Sequence, residues 1–297
     1  MTSPSELIRA GRLVAFPTET VYGLGANALD AEAVRRIFAV KRRPSTSPLI
    51  VHVDSLEMAR GLAASWPAPA EALARRYWPG PLTLVVKKAP SIPDVVTAGL
   101  PTVGLRVPAH PMALELIRES GVPIAAPSAN RFTQLSPTTA EHVRASLGDA
   151  VDCILDGGPA PVGIESTVLS PDPPILYRPG IIPISELEEI TGPLVRATPG
   201  KGAHASPGMH RRHYSPRTPF HLGQAPQGGN GFWLWITRAP RKSRGIEMPA
   251  EPHGYAALLY RVLHDLDLRG YDWIAAESPP DTPEWAGVLD RLRRAAA

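Results

Sequence analysis

Basic and hydroxyl side chains are concentrated in the segment KRRPSTSPLIVH, residues 41–52. Lys41 falls at the end of a predicted helix, and Pro44 forces the chain out of that helix. Cations at a helix C-terminus often only complement the helix dipole, so a solvated helix end is one interpretation. The other is an anion site, because a hydroxyl-rich turn and an apolar strand ending in His52 follow. Basic side chains fixed at a strand entrance can bind phosphate.

A second polar group follows the predicted strand VPIAA, in the segment APSANRFTQLSPTTAEH. Ser128 and Asn130 come directly after the strand and close to a predicted helix N-terminus, where backbone N–H groups favour anions. Ser136 precedes Pro137, and this pair is explained fully as an N-cap followed by proline at the first helical position. Ser128 and Asn130 therefore predict a phosphate or nucleotide pocket, whereas Ser136 needs only a capping role.

The segment FPTETVYGLGANA, residues 16–28, contains two threonines, a tyrosine and two glycines between a strand and a helix capped by Asp30. We predict a loop here, at the kind of strand end where open α/β sheets commonly bind ligands. The Gly-x-Gly pattern is also compatible with an ordinary tight connection. No Gly-Lys-Ser/Thr follows it, so the segment is not a Walker loop.

Two arginines stand at predicted strand positions. Arg106 lies in the strand VGLRV, where an unpaired arginine is costly to bury, so it should face a cleft or an anionic partner. Arg178, in the sequence YRPG, is equally compatible with a surface arginine before a turn. Ser166 and Thr167, in GIESTVL, add hydroxyl groups at another strand.

The sequence lacks obvious acid/base machinery. No paired catalytic carboxylates, Ser-His-Asp arrangement or activated cysteine emerges, and Cys153 in VDCIL is most simply a small core residue. A site rich in cations and hydroxyls suits a reaction that works by positioning and by stabilising phosphate charge, as in nucleotidyl transfer. The histidines of HRRHYSP, residues 210–216, lack a third ligand and have arginines beside them. We therefore favour an aromatic-basic linker segment that folds across a pocket for an anion. We expect no metal held by protein side chains.

An α/β fold has to position these residues. Short apolar strands alternate with helical stretches over the first two-thirds of the chain, which predicts a mixed domain on a sizeable sheet over residues 1–194. Residues 195–219 lack periodicity and are rich in proline, which predicts an extended linker. Residues 220–297 show a strand-helix-strand-helix order, which predicts a small parallel, Rossmann-like domain without a glycine-rich nucleotide motif. The helices predicted before the linker lie around residues 30–41, 55–77, 111–120, 137–147 and 185–191.

The bulk composition is that of a globular protein, with 43% apolar and 20% charged residues among 297. A net charge of +3 and a pI of about 9.1 permit an anionic substrate or a nucleic acid but establish neither. A single cysteine excludes a disulfide framework and favours a reducing cytoplasm. No apolar run approaches membrane-spanning length, so no membrane partner is expected.

Taken in order, these motifs resemble the YrdC-like family in its two-domain form. The resemblance rests on FPTETVYGLG, KRRP with SPLIVH, PGPLTLV, GLRVP, APSAN, SPT, DGG, ESTV and RPG, and on the linker SPGMHRRHYSPRTP with its His-Tyr pair. It implies a mixed twisted sheet with flanking helices and a concave basic groove, followed by a smaller Rossmann-like α/β domain. It also implies that residues 195–219 form a lid over the site.

The resemblance implies L-threonylcarbamoyladenylate synthesis. In that reaction L-threonine, bicarbonate or CO2, and ATP with Mg2+ give threonylcarbamoyl-AMP and pyrophosphate. A downstream threonylcarbamoyl-transferase complex then modifies tRNA that reads ANN codons, and tRNA is a second candidate partner of this chain.

The family's site residues are carried over by motif position. Lys41 and Arg43 are expected to act on the reacting phosphates. The threonine and carbamate site is expected to contain Thr20, His52, Arg106, Ala126 and Ser166. The ATP site is expected to contain Arg43, Ser47, Thr102, Ser128, Asn130, Ser136, Arg178 and Tyr214. Two residues depart from the family pattern, since Ser47 replaces a common asparagine and Arg42 a frequent glycine.

Two alternatives belong to other functional classes. An RNA-binding module for tRNA or double-stranded RNA would bind in a salt-dependent manner without consuming ATP, although a net charge of +3 supports it only weakly. A carbamoyl-transfer relative would accept carbamoyl phosphate in place of threonine.

Overall fold

The computed structural model describes residues 2–197, 213–237, 239 and 244–297. The first part of the chain forms a ten-stranded mixed sheet with helices packed against it. Its strands are β1 (Val14–Phe16), β2 (Gly23–Asn27), β3 (Ile50–His52), β4 (Leu82–Lys87), β5 (Thr102–Arg106), β6 (Ile124–Ala125), β7 (Cys153–Ile154), β8 (Thr167–Pro171), β9 (Pro174–Arg178) and β10 (Val195–Arg196). Its helices are α1 (Pro4–Arg9), α2 (Ala31–Lys41), α3 (Leu56–Gly61), α4 (Ala68–Tyr77), α5 (Asp94–Thr97), α6 (Pro111–Ser120), α7 (Ala140–Leu147) and α8 (Ile184–Thr191), with a 3-10 turn at Gly148–Ala150.

The strand order of this sheet is β10-β9-β8-β4-β5-β3-β6-β2-β1-β7. Strands β3 and β5 are parallel neighbours, and their register pairs His52 with Arg106. Two predicted site residues from distant segments are therefore brought to the same end of the sheet centre. The Asp30 side chain accepts hydrogen bonds from the N–H groups of Glu32 and Ala33, which confirms the predicted cap of α2.

The prediction of a loop over residues 16–28 was wrong, because β2 forms inside it and pairs antiparallel with β1. The cause is the small size of Gly25. A Cβ atom at this residue would lie 2.7 Å from the Phe16 ring and 2.8 Å from Ile124. The glycine thus lets β2 approach its neighbours closely. In the sequence, a glycine with this role looks the same as a glycine in a turn.

Two predicted helices also begin elsewhere. The stretch 55–77 divides into α3 and α4, because Pro67 stands at the N-cap of α4 and cannot continue a helix. Helix α7 is capped by Thr139, whose hydroxyl accepts a hydrogen bond from His142 N–H, so the predicted cap at Ser136 was wrong. The Ser136 hydroxyl donates instead to the Glu165 carboxylate at 2.5 Å, a charged acceptor and hence a stronger partner.

The C-terminal part forms a four-stranded parallel sheet in the order β11-β14-β12-β13, which confirms the predicted small parallel domain. Strands β11 and β13 were not predicted. The linker's central residues 198–212, with His210, lie outside the described residues, and β10 joins the large sheet through β9. The elements are β11 (Phe220–Leu222), β12 (Gly231–Trp235), β13 (Arg244–Glu247), α9 (Pro252–Asp267), β14 (Trp273–Ala276), a 3-10 turn at Pro283–Trp285 and α10 (Ala286–Ala295).

The two sheets do not have wholly separate cores. Val21, Leu135 and Ile164 from the first part pack in one hydrophobic cluster with buried side chains of α9 and α10. Burial of shared apolar surface stabilises the docking of the C-terminal helices on the loops around the large sheet. None of the helices within the described ranges is long and apolar enough to cross a membrane.

Candidate active site

One cleft collects side chains from the strand ends of the large sheet and from the described end of the linker. Its lining mixes cations, hydroxyls, small apolar residues and two histidines. The lining residues are Thr18, Thr20, Val21, Gly23, Arg43, Ile50, His52, Arg106, Ala126, Pro127, Ser128, Glu165, Ser166, Arg178, His213 and Tyr214.

Arg106 and Glu19 form the charged pair at one end of the cleft. Arg106 is 3% exposed, and its Nη2 lies 2.7 Å from Glu19 Oε1, while its Nε donates to the Gly80 carbonyl at 3.2 Å. The Nη2 and Oε1 atoms are close, but the N–H is not aligned for a hydrogen bond, and neither atom has another partner among the described residues. The guanidinium is thus held in place with donor capacity left for a ligand carboxylate.

His52 lies beside Arg106 and stays neutral. Burial, reinforced by the Arg106 charge, lowers the pKa of His52 to about 3. Its Nδ1 has no hydrogen-bond partner within the described chain, and its ring makes an edge contact with Phe16 at a centroid distance of 5.9 Å. This end of the cleft therefore combines one fixed cation with an uncharged imidazole.

Acidification is expected to weaken the fold through His52. Between the folded-state pKa of about 3 and the usual value of 6.5, the unfolded chain binds one proton more than the folded chain. The free energy of unfolding should then fall by about 1.4 kcal/mol for each pH unit below 6.5. Urea titrations at pH 7, 6 and 5 on the wild type and on His52→Asn measure this difference. An equal slope in both proteins would contradict the buried neutral histidine.

Arg43 lines the other end of the cleft, whereas Lys41, two residues earlier and also buried, lines a separate surface pocket. Arg43 Nη2 donates to the Pro48 carbonyl at 3.1 Å, and Lys41 Nζ donates to the carbonyls of Ser128, at 2.5 Å, and Asn130. Burial lowers the pKa of Arg43 to about 10, and it lowers that of Lys41 well below its usual value, with help from the Arg43 charge. Neither cation has an ion-pair partner among the described residues, which favours an anionic ligand.

Arg178 joins the strand end of β9 to the linker. Its Nε donates to the Ser166 carbonyl at 3.1 Å, its Nη2 to the Ser166 hydroxyl at 3.2 Å, and its Nη1 to the Tyr214 hydroxyl at 3.3 Å. The Ser166 hydroxyl also pairs with Thr83 at 2.8 Å. The alternative interpretation of Arg178, as a surface arginine before a turn, was wrong, since this residue is 3% exposed.

A short aromatic path links Arg178 to Arg43. His213 packs edge-on against Tyr214 at 4.1 Å and against Phe132 at 5.6 Å between ring centroids. The guanidinium carbon of Arg43 lies 5.5 Å from the centroid of the Phe132 ring, within cation–π range. The described end of the linker thus connects the two arginines of the cleft.

Four predicted ATP contacts are not among the residues that line the cleft. Asn130 donates to the Arg131 and Gln134 carbonyls and so shapes its own loop. The Ser47 carbonyl accepts from Arg43 Nε at 3.4 Å. Thr102 begins β5, at the opposite end of that strand from Arg106. The fourth is Ser136, bonded to Glu165.

Sequence analysis missed three charged residues of this region. Glu19 and Glu165 lie within the quoted motifs FPTETVYGLG and GIESTVL. Nothing in the sequence indicates the arginine that pairs with each of them. Arg291 comes from α10, far along the chain, and its Nε lies 2.7 Å from Glu165 Oε2. Only the folded chain brings these charges together.

The described residues contain no ready-made cluster of metal ligands. Within residues 2–197, 213–237, 239 and 244–297, no group of three or more His, Cys, Asp or Glu side chains is placed to hold an ion. Glu165, which lines the cleft, is bound by Ser136, Tyr260 and Arg291.

The large mixed sheet, the docked parallel domain and a cleft with a cationic, hydroxyl-rich end define the class of two-domain proteins with a YrdC-like fold. Two family models match the chain, one described as telomere recombination over residues 6–180, the other as the threonylcarbamoyl-AMP synthase C-terminal domain over residues 182–297. The chain belongs to the threonylcarbamoyl-AMP synthase family.

Individual relatives match nearly the whole length of this chain. A threonylcarbamoyl-AMP synthase of Pyrococcus abyssi is 43% identical and matches 97% of this chain and 91% of its own length. A Bacillus subtilis protein of the same name is also 43% identical, and the match covers 98% of this chain and 91% of that protein. A crystal structure of P. abyssi Sua5 in complex with L-threonine superposes with a TM-score of 0.93 at 40% identity, covering 98% of this chain and 92% of that one.

Proposed function

We propose that the protein forms threonylcarbamoyl-AMP and pyrophosphate from L-threonine, bicarbonate or CO2, and ATP. The observation that carries this proposal is the single cleft in which Arg106 and His52 face one end, and Arg43 and Arg178 the other. These side chains combine the chemistry that binds a carboxylate with the chemistry that binds phosphate, as an amino acid beside a nucleotide requires. The sequence matches to threonylcarbamoyl-AMP synthases select this pair of substrates.

The threonine end is expected to bind the substrate by its carboxylate. The planar guanidinium of Arg106 can pair with that carboxylate through two parallel hydrogen bonds. Thr20, Ala126 and neutral His52 surround the same space. The ammonium group of threonine must lose one proton to water or bicarbonate before its nitrogen attacks CO2, and the nitrogen loses a second proton to the same acceptors as the N–C bond of the carbamate forms.

The ATP end is expected to hold the phosphates against Arg43, Arg178 and Ser128, and Ser166, assigned to the threonine and carbamate site, is hydrogen-bonded to Arg178. A carbamate oxygen attacks the α-phosphorus, the bond from that phosphorus to the bridging oxygen breaks, and pyrophosphate leaves with the electron pair. Fixed cations stabilise the charge that develops on the phosphate oxygens. Mg2+ carried by ATP would supply further charge neutralisation.

Lys41 takes a supporting role in this arrangement. Its Nζ donates to the carbonyls of Ser128 and Asn130, so it fixes the loop that carries the Ser128 hydroxyl. We propose that its charge also acts on the phosphates across this loop.

The product is labile, so a lid and a downstream acceptor belong to the proposal. Tyr214 would exclude water from the adenylate, and a threonylcarbamoyl-transferase complex would pass the group to tRNA in the cytoplasm. Arg42, Arg131 and Arg217 line one surface pocket near the cleft and could contact tRNA phosphates.

Substrate omission tests the proposed function. Pyrophosphate release should require ATP, threonine and bicarbonate together, and omission of any one should abolish it. Release that ignores threonine would reject the proposal. Activity with carbamoyl phosphate in place of threonine would favour the carbamoyl-transfer alternative, and salt-dependent RNA binding without ATP consumption would favour the RNA-binding module.

A further inference from the structure

Arg291 is a buried cation of the C-terminal domain whose partners lie at the ATP end of the cleft. Its side chain is fully buried. Its Nε donates to Glu165 Oε2 at 2.7 Å, its Nη2 to the Glu165 carbonyl at 3.1 Å, and its Nη1 to the Pro179 carbonyl at 2.8 Å and to Asp290. Glu165 and Pro179 are the chain neighbours of Ser166 and Arg178. One guanidinium therefore fixes the backbone on both sides of the Arg178–Ser166 contact.

The same helix holds the linker around Tyr214. This tyrosine has a φ of 60°, a left-handed conformation that costs a non-glycine residue energy and persists only where the surroundings impose it. The guanidinium carbon of Arg291 lies 5.4 Å from the centre of its ring. The N–H of His213 donates to the Arg294 carbonyl at 3.4 Å, and the hydroxyl of Ser215 to the Ala295 carbonyl at 3.3 Å. The residues before and after Tyr214 are thus bonded to the last turn of α10.

Backbone contact makes this docking specific. Gly287 of α10 lies so close to the loop after β9 that a Cβ atom there would stand 2.1 Å from the Gly180 carbonyl oxygen. Helix α10 is therefore seated directly on the loop that follows Arg178. Its position sets the position of that loop.

Helix α9 adds a second contact to the same carboxylate. The hydroxyl of Tyr260 donates to Glu165 Oε2 at 3.2 Å. Although burial opposes ionisation of Glu165, the charges of Arg291 and Arg178 keep its pKa below the usual value. The ionised carboxylate then accepts from Ser136, Tyr260 and Arg291, and its partners come from both domains.

We propose that Arg291, with Tyr260, is a positioning residue for the nucleotide half of the site. The C-terminal domain acts on the reaction by fixing Tyr214, Arg178 and Ser166, without contacting threonine. This inference rests on the proposed function, and it assigns the C-terminal domain an indirect effect on ATP binding, through the residues that it holds in place.

Conservative variants test the inference. Tyr260→Phe removes one hydroxyl donor to Glu165, and Arg291→Lys keeps the charge but loses the fork of donors. Tyr255→Phe is the matched control, because Tyr255 is buried on the same helix and its hydroxyl has no hydrogen-bond partner among the described residues. Threonine-dependent pyrophosphate release gives KM and kcat, and thermal unfolding checks the fold.

Tyr260→Phe should raise the KM for ATP about tenfold, which corresponds to about 1.4 kcal/mol, because Glu165 and the adjoining Arg178–Ser166 contact are then held less firmly. The KM for threonine should change much less, because Ser166 is the one predicted threonine contact that belongs to this network among the described residues. Arg291→Lys should raise the KM for ATP further, yet less than Arg291→Met does, which is the rescue that a positioning role predicts. Tyr255→Phe should match the wild type in both constants.

Unchanged ATP constants in a folded Tyr260→Phe variant would overturn the inference, as would equal losses for ATP and threonine. The two proposals fail in different ways. If the proposed function is wrong, the wild type itself releases no threonine-dependent pyrophosphate. In that case calorimetric ATP titration of the same variants still decides the inference, since equal Kd values, or no binding by the wild type, would reject it.

Discussion

Replacement of Arg43 by alanine is expected to raise the KM for ATP by about 10- to 100-fold, the loss typical of a charge-assisted hydrogen bond to an ionised ligand. Arg43 is 8% exposed and bonds only to carbonyl oxygens and the Phe132 ring among the described residues. Its charge is therefore costly in the free protein and is compensated when phosphate binds. The KM for threonine should change little, because Arg106 lies at the other end of the cleft.

The neighbouring arginine provides the control. Arg42 is exposed and caps α2 in a left-handed conformation with a φ of 53°. Arg42→Gly removes a similar charge and relieves backbone strain of about 1 kcal/mol, so the variant should be slightly more stable and bind ATP normally. ATP titration calorimetry and steady-state kinetics measure both variants. A normal ATP affinity in Arg43→Ala would remove this residue from the proposed site.

Arg106→Lys should raise the KM for threonine about 10- to 100-fold while leaving the KM for ATP unchanged. Lysine keeps the positive charge opposite Glu19, so no uncompensated carboxylate is left in the interior. What it loses is the planar fork that meets a carboxylate with two hydrogen bonds. Alanine at this position would instead combine lost binding with a stability defect.

The exposed Arg118 on α6 gives the matching surface substitution, Arg118→Lys, which should behave as wild type. Initial rates measured with varied threonine at saturating ATP give the KM for threonine. Rates measured with varied ATP at saturating threonine give the KM for ATP. A larger effect on ATP than on threonine would show that the proposed division of the cleft is wrong.

Local sequence signals predicted most of the large sheet and its central helices. The Asp30 cap and the apolar run before His52 are contained within short segments, so neighbouring residues suffice to indicate them. Strand β2 escaped prediction, because Gly25 resembles a turn residue until the Phe16 ring and Ile124 are seen against it. Strand β13 is exposed for much of its length and has no apolar alternation to indicate it.

The charged contacts of the site were harder to predict for a related reason. Arg43 and Arg178 belong to recognisable segments, whereas Glu165 depends on partners in α9 and α10, and Ser136 in turn depends on Glu165. Ser136 satisfies every local rule for a helix cap, yet a carboxylate 29 residues away takes its hydroxyl. Electrostatic pairing across domains leaves no periodic pattern in the sequence.

The contact between Arg291 and Glu165 has a consequence for synthesis of the protein. The two residues are separated by 126 positions. At a translation rate of 5 to 20 residues per second, roughly 6 to 25 s pass between their emergence from the ribosome. The large sheet can fold during this interval, before Arg291 is available to pair with Glu165. A nascent chain should therefore acquire its fold before it acquires a competent nucleotide site.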